Sequence, residues 1–157
     1  MRKIQSRKAV SPVIATVILV AVAITVAVAV AYWMSGIAGQ YTKFEKVEIQ
    51  TAYSTRVAAG WDVAMEIKNT GSAASTLIRA FVNDVPIPQA NYANSSIIDG
   101  EIACSFPYAG VTIDSGNSTT LYIYISDSYK NLSSGTTVNL KLHSAGGMDY
   151  IKLVELV

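Results

Sequence analysis

The side chains that most often do chemistry are few in this sequence, and their spacing assembles no catalytic site. His143 is the single histidine and Cys104 the single cysteine of the 157 residues. A histidine-based metal site needs further ligands at suitable spacing, and scattered carboxylates do not supply them. Neither a G-x-S-x-G elbow nor a phosphate-binding P-loop occurs. We therefore expect no enzymatic activity and no cofactor, with His143 in a structural role and Cys104 as a buried apolar side chain.

The remaining polar candidates are three aspartates and two tyrosines. Asp114, Asp127 and Asp149 stand near predicted turns, where aspartate commonly hydrogen bonds to the local backbone. A weak calcium site is the alternative for them, and nothing in their spacing supports it. Tyr122 and Tyr124 share one face of a predicted strand. Such a face is either a contact surface or an ordinary outer face of a sheet.

Three N-x-[ST] sequons offer a different chemistry, the attachment of a glycan. They lie at Asn94, Asn117 and Asn131, each in a stretch that is typical of a loop or turn. On an exported domain such asparagines are acceptors for N-glycosylation. We expect a glycan on at least one of them if this part of the chain leaves the cell.

A long uncharged segment near the N-terminus decides on which side of a membrane these residues lie. No charged residue lies between Lys8 and Lys43, whereas four basic residues fall within the first eight. A membrane-spanning helix needs about 20 apolar residues, and residues 12–32 supply them. Basic residues ahead of the span place the N-terminus in the cytoplasm and the remainder outside, with Tyr32 and Trp33 at the far interface.

Residues 21–31, AVAITVAVAVA, alternate small and larger apolar side chains in the manner of a strand. An isolated strand cannot cross a membrane, because its backbone groups would have no partners in lipid. We therefore predict a helix over residues 9–40, with Ser11 as its N-cap and Pro12 as its first helical position. Gly36 and Gly39 are expected to act as a hinge that ends or loosens this helix before Lys43.

On a helix the same alternation produces ridges of small side chains. Residues four apart share a face, so two ridges of small side chains form, consisting of Ala23, Ala27 and Ala31, and of Ala21, Thr25 and Ala29. Valine and isoleucine form bulkier ridges between them. Small residues allow helix backbones to approach closely, so the pattern favours packing against copies of the same helix. The alternative is a generic alanine- and valine-rich span.

The segment RKAVSPVIATVILVAVAITVAVAVAYWMSG, residues 7–36, resembles the N-terminus of archaeal type IV pilins and their archaellin relatives. The resemblance implies that a prepilin peptidase cuts between Lys8 and Ala9, which removes residues 1–8 as a leader peptide and leaves the helix on the mature protein. Bacterial type IV pilins usually carry a glutamate at the fifth mature position. Val13 occupies that position here, which points to the archaeal branch.

The resemblance also implies a function. The chain would be a pilin that is first inserted in the cytoplasmic membrane. An assembly ATPase and a membrane platform protein would then polymerise it through its helix into an extracellular filament for adhesion to surfaces or other cells. One alternative is an archaellin-type subunit of a motility filament. The other is a single-span surface protein whose head binds a ligand or partner and which keeps residues 1–8.

Residues 41–157 read as an all-β head. WDVAMEIKNTGS, residues 61–72, alternates apolar and polar side chains and stops at a glycine turn, and residues 119–128 alternate in the same way. Residues 136–157 form two further strands joined by SAGG, and weaker strands are predicted at 44–53, 74–85 and 96–104. Pro86 and Pro88 belong to a loop or edge. About seven short strands indicate an immunoglobulin-like sandwich, so the fold class is α+β.

The charge balance excludes one class of partner. All eleven acidic residues but only eight of the twelve basic ones follow residue 8, which gives that part a net charge of −3. A nucleic-acid-binding domain normally carries a basic face. We therefore expect no nucleic-acid partner.

Overall fold

The computed structural model describes residues 12–157. The chain divides into a helical unit that ends at Thr42 and a head, Lys43–Val157, and each is described by itself. Three residues of the sequence predictions, Lys8, Ala9 and Ser11, lie outside the described residues. The proposed cleavage position and N-cap therefore stay predictions.

The helical unit is one α-helix, α1, which spans Pro12–Tyr41. Its 30 residues correspond to a length of about 45 Å. The prediction of a helix over the alternating segment is confirmed. The helix continues through Gly36 and Gly39, so it does not end at these glycines, and that they loosen it as a hinge stays a prediction. A single glycine costs a helix only about 1 kcal/mol relative to alanine, and the apolar residues around it sustain the helix.

The head contains nine strands rather than about seven. Their bounds are β1 Val47–Val57, β2 Gly60–Asn69, β3 Ser75–Val82, β4 Val85–Pro86, β5 Ile102–Cys104, β6 Val111–Ile113, β7 Ser118–Ser126, β8 Thr137–Ser144 and β9 Asp149–Glu155. Three of these strands are only two or three residues long. Strands of that length show no period-2 pattern, which explains why the sequence predicts too few.

The strands form two antiparallel sheets. One has the order β1-β2-β7-β5, and the other has the order β4-β3-β8-β9, with β6 also paired to β3. In chain order these are the A-B-E-D and C′-C-F-G arrangements of an immunoglobulin-type sandwich. The predicted α+β fold with a sandwich head is confirmed. Pro86 lies in the edge strand β4 and Pro88 in the loop after it, as expected.

Alternating side chains of both sheets fill the core between them. Trp61, Val63, Met65 and Ile67 of β2 are buried, as are Leu121, Ile123 and Ile125 of β7 and Val138, Leu140 and Leu142 of β8. Facing hydrophobic side chains of this kind supply most of the stabilisation of a sandwich. The predicted SAGG turn is confirmed, since residues 145–148 join β8 to β9.

Candidate assembly surface

The surface of α1 is apolar on all sides and almost wholly exposed. Residues 12–39 form a span that is long and apolar enough to cross a membrane, and none of its most apolar stretch is buried. Val13, Leu19 and Val30 are 69%, 68% and 51% exposed. A helix that is hydrophobic all round is normally buried, either in a large core or in a membrane. The helix alone therefore presents a surface that requires cover.

The two threonine hydroxyl groups within this span are satisfied by the helix itself. The Thr16 hydroxyl donates to the carbonyl oxygen of Val13 at 2.9 Å, and the Thr25 hydroxyl donates to that of Ala21 at 2.8 Å. Threonine commonly forms such bonds to the preceding turn of a helix. Both side chains can therefore face an apolar environment without the cost of an unpaired donor.

The small residues of residues 21–31 lie on the exposed helix surface, beside Val22, Val26 and Ile24, which are 55%, 55% and 59% exposed. A shallow groove on the helix surface is lined by Thr16, Val17, Val20, Ala21 and Ile24. A second groove is lined by Tyr32, Trp33, Gly36 and Ile37. Such hollows beside small residues suit the side chains of a neighbouring helix. That helix contacts occur at these ridges stays a prediction.

The first residues of the head form a junction clamp, which we define as segment 44–46 together with turn 70–73. The Phe44 carbonyl oxygen accepts hydrogen bonds from the backbone N–H groups of Ser72 and Ala73, at 3.0 and 3.1 Å. The Phe44 N–H in turn donates to the Ser72 side-chain oxygen at 3.0 Å. The Ser75 hydroxyl donates to the Glu45 carboxylate at 3.2 Å. The chain is thus fixed to the head before β1 begins.

Asn69 holds the turn of the junction clamp in place. Its fully buried side chain donates to the carbonyl oxygens of Ala73 and Ile113, each at 2.8 Å, and accepts from the backbone N–H of Gly71 at 2.9 Å. The Ser115 hydroxyl also donates to the Gly71 carbonyl oxygen at 2.6 Å. Sequence reasoning missed this role. The only signal was the NTGS motif, which it interpreted merely as the end of a strand.

The three sequon asparagines differ in exposure. Asn117 and Asn131 are exposed, while Asn94 is half-buried. Asn117 directly precedes β7, and Asn131 ends a short 3-10 turn, Tyr129–Asn131. All three positions lie outside the strands, as the sequence indicates. Their glycosylation stays a prediction.

The two tyrosines of β7 share the outer face of their sheet but not the same environment. Their rings stack with centroids 6.4 Å apart. Tyr122 is 41% exposed, whereas Tyr124 is only 7% exposed. The difference follows from strand pairing, because Tyr124 lies between β2 and β5, opposite Asp62 and Ala103. Tyr122 lies beyond the end of β5, so only this tyrosine offers a ring to a partner.

Cys104 and His143, the cysteine and the histidine of the chain, both occupy structural positions in the head. Cys104 is fully buried, as predicted, and burial raises the pKa of its thiol to about 12. His143 lies on β8, as predicted, and its Nδ1 is 2.6 Å from the Asp149 carboxylate on β9. A thiol with so high a pKa is not a nucleophile at neutral pH. The histidine and aspartate join two neighbouring strands.

The two remaining aspartates of the predicted turns, Asp114 and Asp127, take part in different contacts. Asp127 forms an ion pair with Arg56 at 3.3 Å. The backbone carbonyl oxygen of Asp114 accepts from the N–H of Asn117 at 3.1 Å. Within residues 12–157, no three histidine, cysteine, aspartate or glutamate side chains come together as metal ligands.

No family model and no curated protein matches the chain. Among solved structures, the chain is similar to the Iho670 flagellar-like filament, with 12% sequence identity and a TM-score of 0.43, over 93% of this chain and 98% of that one. It is also similar to the archaeal flagellum of Methanospirillum hungatei strain JF1, with 14% identity and a TM-score of 0.46, over 92% and 88%. Similarities of this size carry no functional argument, so α1 and the head must be interpreted from their own residues.

Proposed function

We propose that this chain is a structural subunit that polymerises through α1 into an extracellular filament. The observation that carries the proposal is the exposed apolar surface of α1, which continues around the helix from Pro12 to Gly39. Each large apolar side chain contributes about 1.5–3 kcal/mol when it leaves water. A span with more than a dozen such side chains must therefore be covered either by lipid or by other helices.

Polymerisation requires that one cover replaces the other. In the membrane, lipid surrounds the helix. When the helix leaves the bilayer, copies of the same helix must take the place of the lipid at once, because the exposed apolar surface would be too costly in water. Ridges of alanine allow this close approach between backbones. An assembly ATPase and a membrane platform protein would couple extraction to assembly.

The leader must be removed before the helix can enter such an assembly. Four basic side chains within residues 1–8 would have to enter or border an apolar core of helices. Burial of unpaired charge is among the costliest changes a protein can undergo. Cleavage by a prepilin peptidase between Lys8 and Ala9 would remove all four. The mature N-terminus would then be Ala9, and the protein would move from the cytoplasmic membrane to the cell surface.

Adhesion to surfaces or other cells is the role that the exposed groups of the head support. Tyr53, Tyr108 and Tyr122 are 60%, 36% and 41% exposed. Tyrosine offers a large apolar ring and a polar hydroxyl, and is enriched at protein interfaces. The outer strands also expose many serine and threonine hydroxyls. A filament built from such heads would present a polar, aromatic surface.

The test is electron microscopy of material sheared from the cell surface, together with N-terminal sequencing of the protein in it. We expect thin filaments whose subunit begins at Ala9. The variant Lys8→Glu should keep its leader and stay in the membrane, while Lys3→Glu, with the same change of charge away from the cut, should still assemble. An intact protein that begins at Met1, with no filaments present, would contradict the proposal and favour a single-span surface protein.

A further inference from the structure

The head contains an open cleft of about 320 Å³ that the proposed assembly does not use. One wall is the end of β1 and the turn to β2, Val57, Ala58 and Ala59. The other wall belongs to the long connection before β5 and consists of Ser95, Ser96 and Ile97. Asp62 of β2 completes the lining. Two segments nearly forty residues apart in sequence thus flank one carboxylate in an open cleft.

Asp62 has no charge partner among residues 12–157, where it forms no ion pair. Arg56, on the neighbouring strand, is bound to Asp127 and stacks on the ring of Trp61, with 4.4 Å to its centroid. Directly opposite on β7 lies Tyr124, which is buried and neutral. Asp62 is itself half-buried. Partial burial raises the pKa of Asp62, as expected where no cation offsets the lost hydration.

The other groups of the cleft complement a small cation with an alkyl chain. Ser95 and Ser96 are exposed and bring two hydroxyl oxygens. Ala58 and Ala59 are small and leave the opening wide, while Val57 and Ile97 are half-buried and apolar. The Ala59 carbonyl oxygen already accepts a hydrogen bond from the Asp127 N–H at 3.1 Å. The carboxylate and the hydroxyls are therefore the acceptors on offer.

We infer that this cleft binds a primary alkylammonium group. The ammonium would donate one hydrogen bond to the Asp62 carboxylate, a charge-assisted bond of the stronger kind. Its other N–H groups would donate to Ser95 and Ser96, and its methylene chain would lie along Val57 and Ile97. A divalent metal ion fits less well, because calcium takes six to eight oxygen ligands and the cleft holds a single carboxylate.

Two sources share this chemistry. One is a lysine side chain of a neighbouring copy of this chain, which depends on the proposed assembly. The other is a free alkylamine, which does not. The measurements below separate them.

The first experiment titrates the full-length chain in detergent with n-butylamine, followed by calorimetry or by amide chemical shifts. We expect binding to the wild-type chain, and at least about tenfold weaker binding to Asp62→Asn, because a neutral amide oxygen accepts a much weaker hydrogen bond from an ammonium than a carboxylate does. Glu66→Gln is the matched control, since Glu66 is an exposed acid on the outer face of the same strand. Its binding should equal that of the wild type.

Tetramethylammonium, which has the charge but no N–H donor, should bind much more weakly than n-butylamine. Ser95→Ala should weaken binding of n-butylamine by a smaller factor than Asp62→Asn, and it leaves the sequon at Asn94 intact. It also provides the test if Asp62→Asn does not fold. If the wild-type chain does not bind n-butylamine, the inference is overturned. It is also overturned if a folded Asp62→Asn or Ser95→Ala variant binds n-butylamine as tightly as the wild type does.

The second experiment treats assembled filaments with a water-soluble carbodiimide, which joins a carboxylate to an adjacent amine with loss of water. A cross-link between Asp62 and a lysine of another copy, absent from Asp62→Asn filaments, identifies the neighbouring chain as the source. No such cross-link, with butylamine binding retained, assigns the cleft to free alkylamines. Failure to obtain filaments contradicts the proposed function and leaves the detergent titration as the test of the cleft.

Discussion

The backbone N–H of Gly71 donates a hydrogen bond to the carbonyl oxygen of Lys46 at 3.0 Å, and the same oxygen accepts from Thr70 at 2.8 Å. These bonds tie the start of the head to the turn between β2 and β3. The sequence predicts that this strand begins at residue 44, whereas β1 begins at Val47. The hydrogen bonds of the junction clamp explain the later start. Residues 44–46 use their backbone groups in the junction clamp instead of a strand ladder.

We predict that Gly71→Ala destabilises the head by about 1–3 kcal/mol, the usual cost of overpacking a tight site. A Cβ atom there would lie 2.5 Å from both the Lys46 nitrogen and the Phe44 carbonyl oxygen, which are backbone atoms. Gly39→Ala is the control, because a Cβ atom at this position of α1 would meet no other atom within 4 Å. Denaturant unfolding of the full chain in detergent measures both. Equal stabilities of the two variants would refute the role of the junction clamp.

The ridges of α1 make a second prediction. Ala27→Leu should sharply reduce the yield of filaments, because a large side chain on a small ridge keeps neighbouring backbones apart. Val26→Leu, one residue away and between the ridges, should assemble nearly as well as the wild type. Both variants should insert in the membrane, since both remain apolar. Sheared-filament yield and membrane fraction are the measurements, and indistinguishable yields would favour the generic span.

Glycan attachment can be tested by intact mass. We expect the exported protein to exceed its sequence mass, with one mass increment lost in Asn117→Gln or in Asn131→Gln. These two asparagines are exposed, whereas Asn94 is half-buried, so we expect Asn94→Gln to change the mass least. An unmodified mass for the wild-type protein would exclude glycosylation under the conditions used.

Cys104 should resist alkylation in the folded head. With its pKa raised to about 12 by burial, only about one thiol in ten thousand is ionised at pH 8. Iodoacetamide should therefore leave the native protein unlabelled at pH 8 and label it fully in denaturant. The labelling rate should increase as the pH rises toward the pKa. Rapid labelling of the native protein would show that the thiol is accessible and ionised.

Long regular patterns in the sequence predicted most of the fold. The apolar run gave α1, and the alternation at residues 61–67 and 119–125 gave the buried faces of β2 and β7. The strand predicted at 96–104 is reduced to β5, Ile102–Cys104, and β6 was not predicted. Three residues carry no period, and the strand geometry of both depends on pairing with another strand, as of Cys104 with Ile123 and of Ile113 with Ser75. The residue range predicted as one strand at 74–85 is divided between β3 and β4 by a turn at Asn83 and Asp84.

Features that depend on distant contacts were inaccessible to sequence reasoning. Tyr124 is buried where β5 pairs beside it, with Ala103 opposite. The cleft at Asp62 exists because residues 95–97 are placed opposite the turn after β1. The role of Asn69 depends on carbonyl groups as distant as that of Ile113. None of these relationships leaves a local pattern, since each joins segments that meet only in the folded chain.

The even distribution of apolar side chains around α1 has a consequence for the helical symmetry of any filament that the chain forms. A helix with no polar stripe buries about the same apolar area at any rotation about its own axis, and α1 carries more than one ridge of small side chains, so helix packing permits several rotations and does not select one of them. Pitch and subunit register would then be determined mainly by contacts among the heads. We expect chains with the same α1 but altered heads to form filaments with different helical parameters.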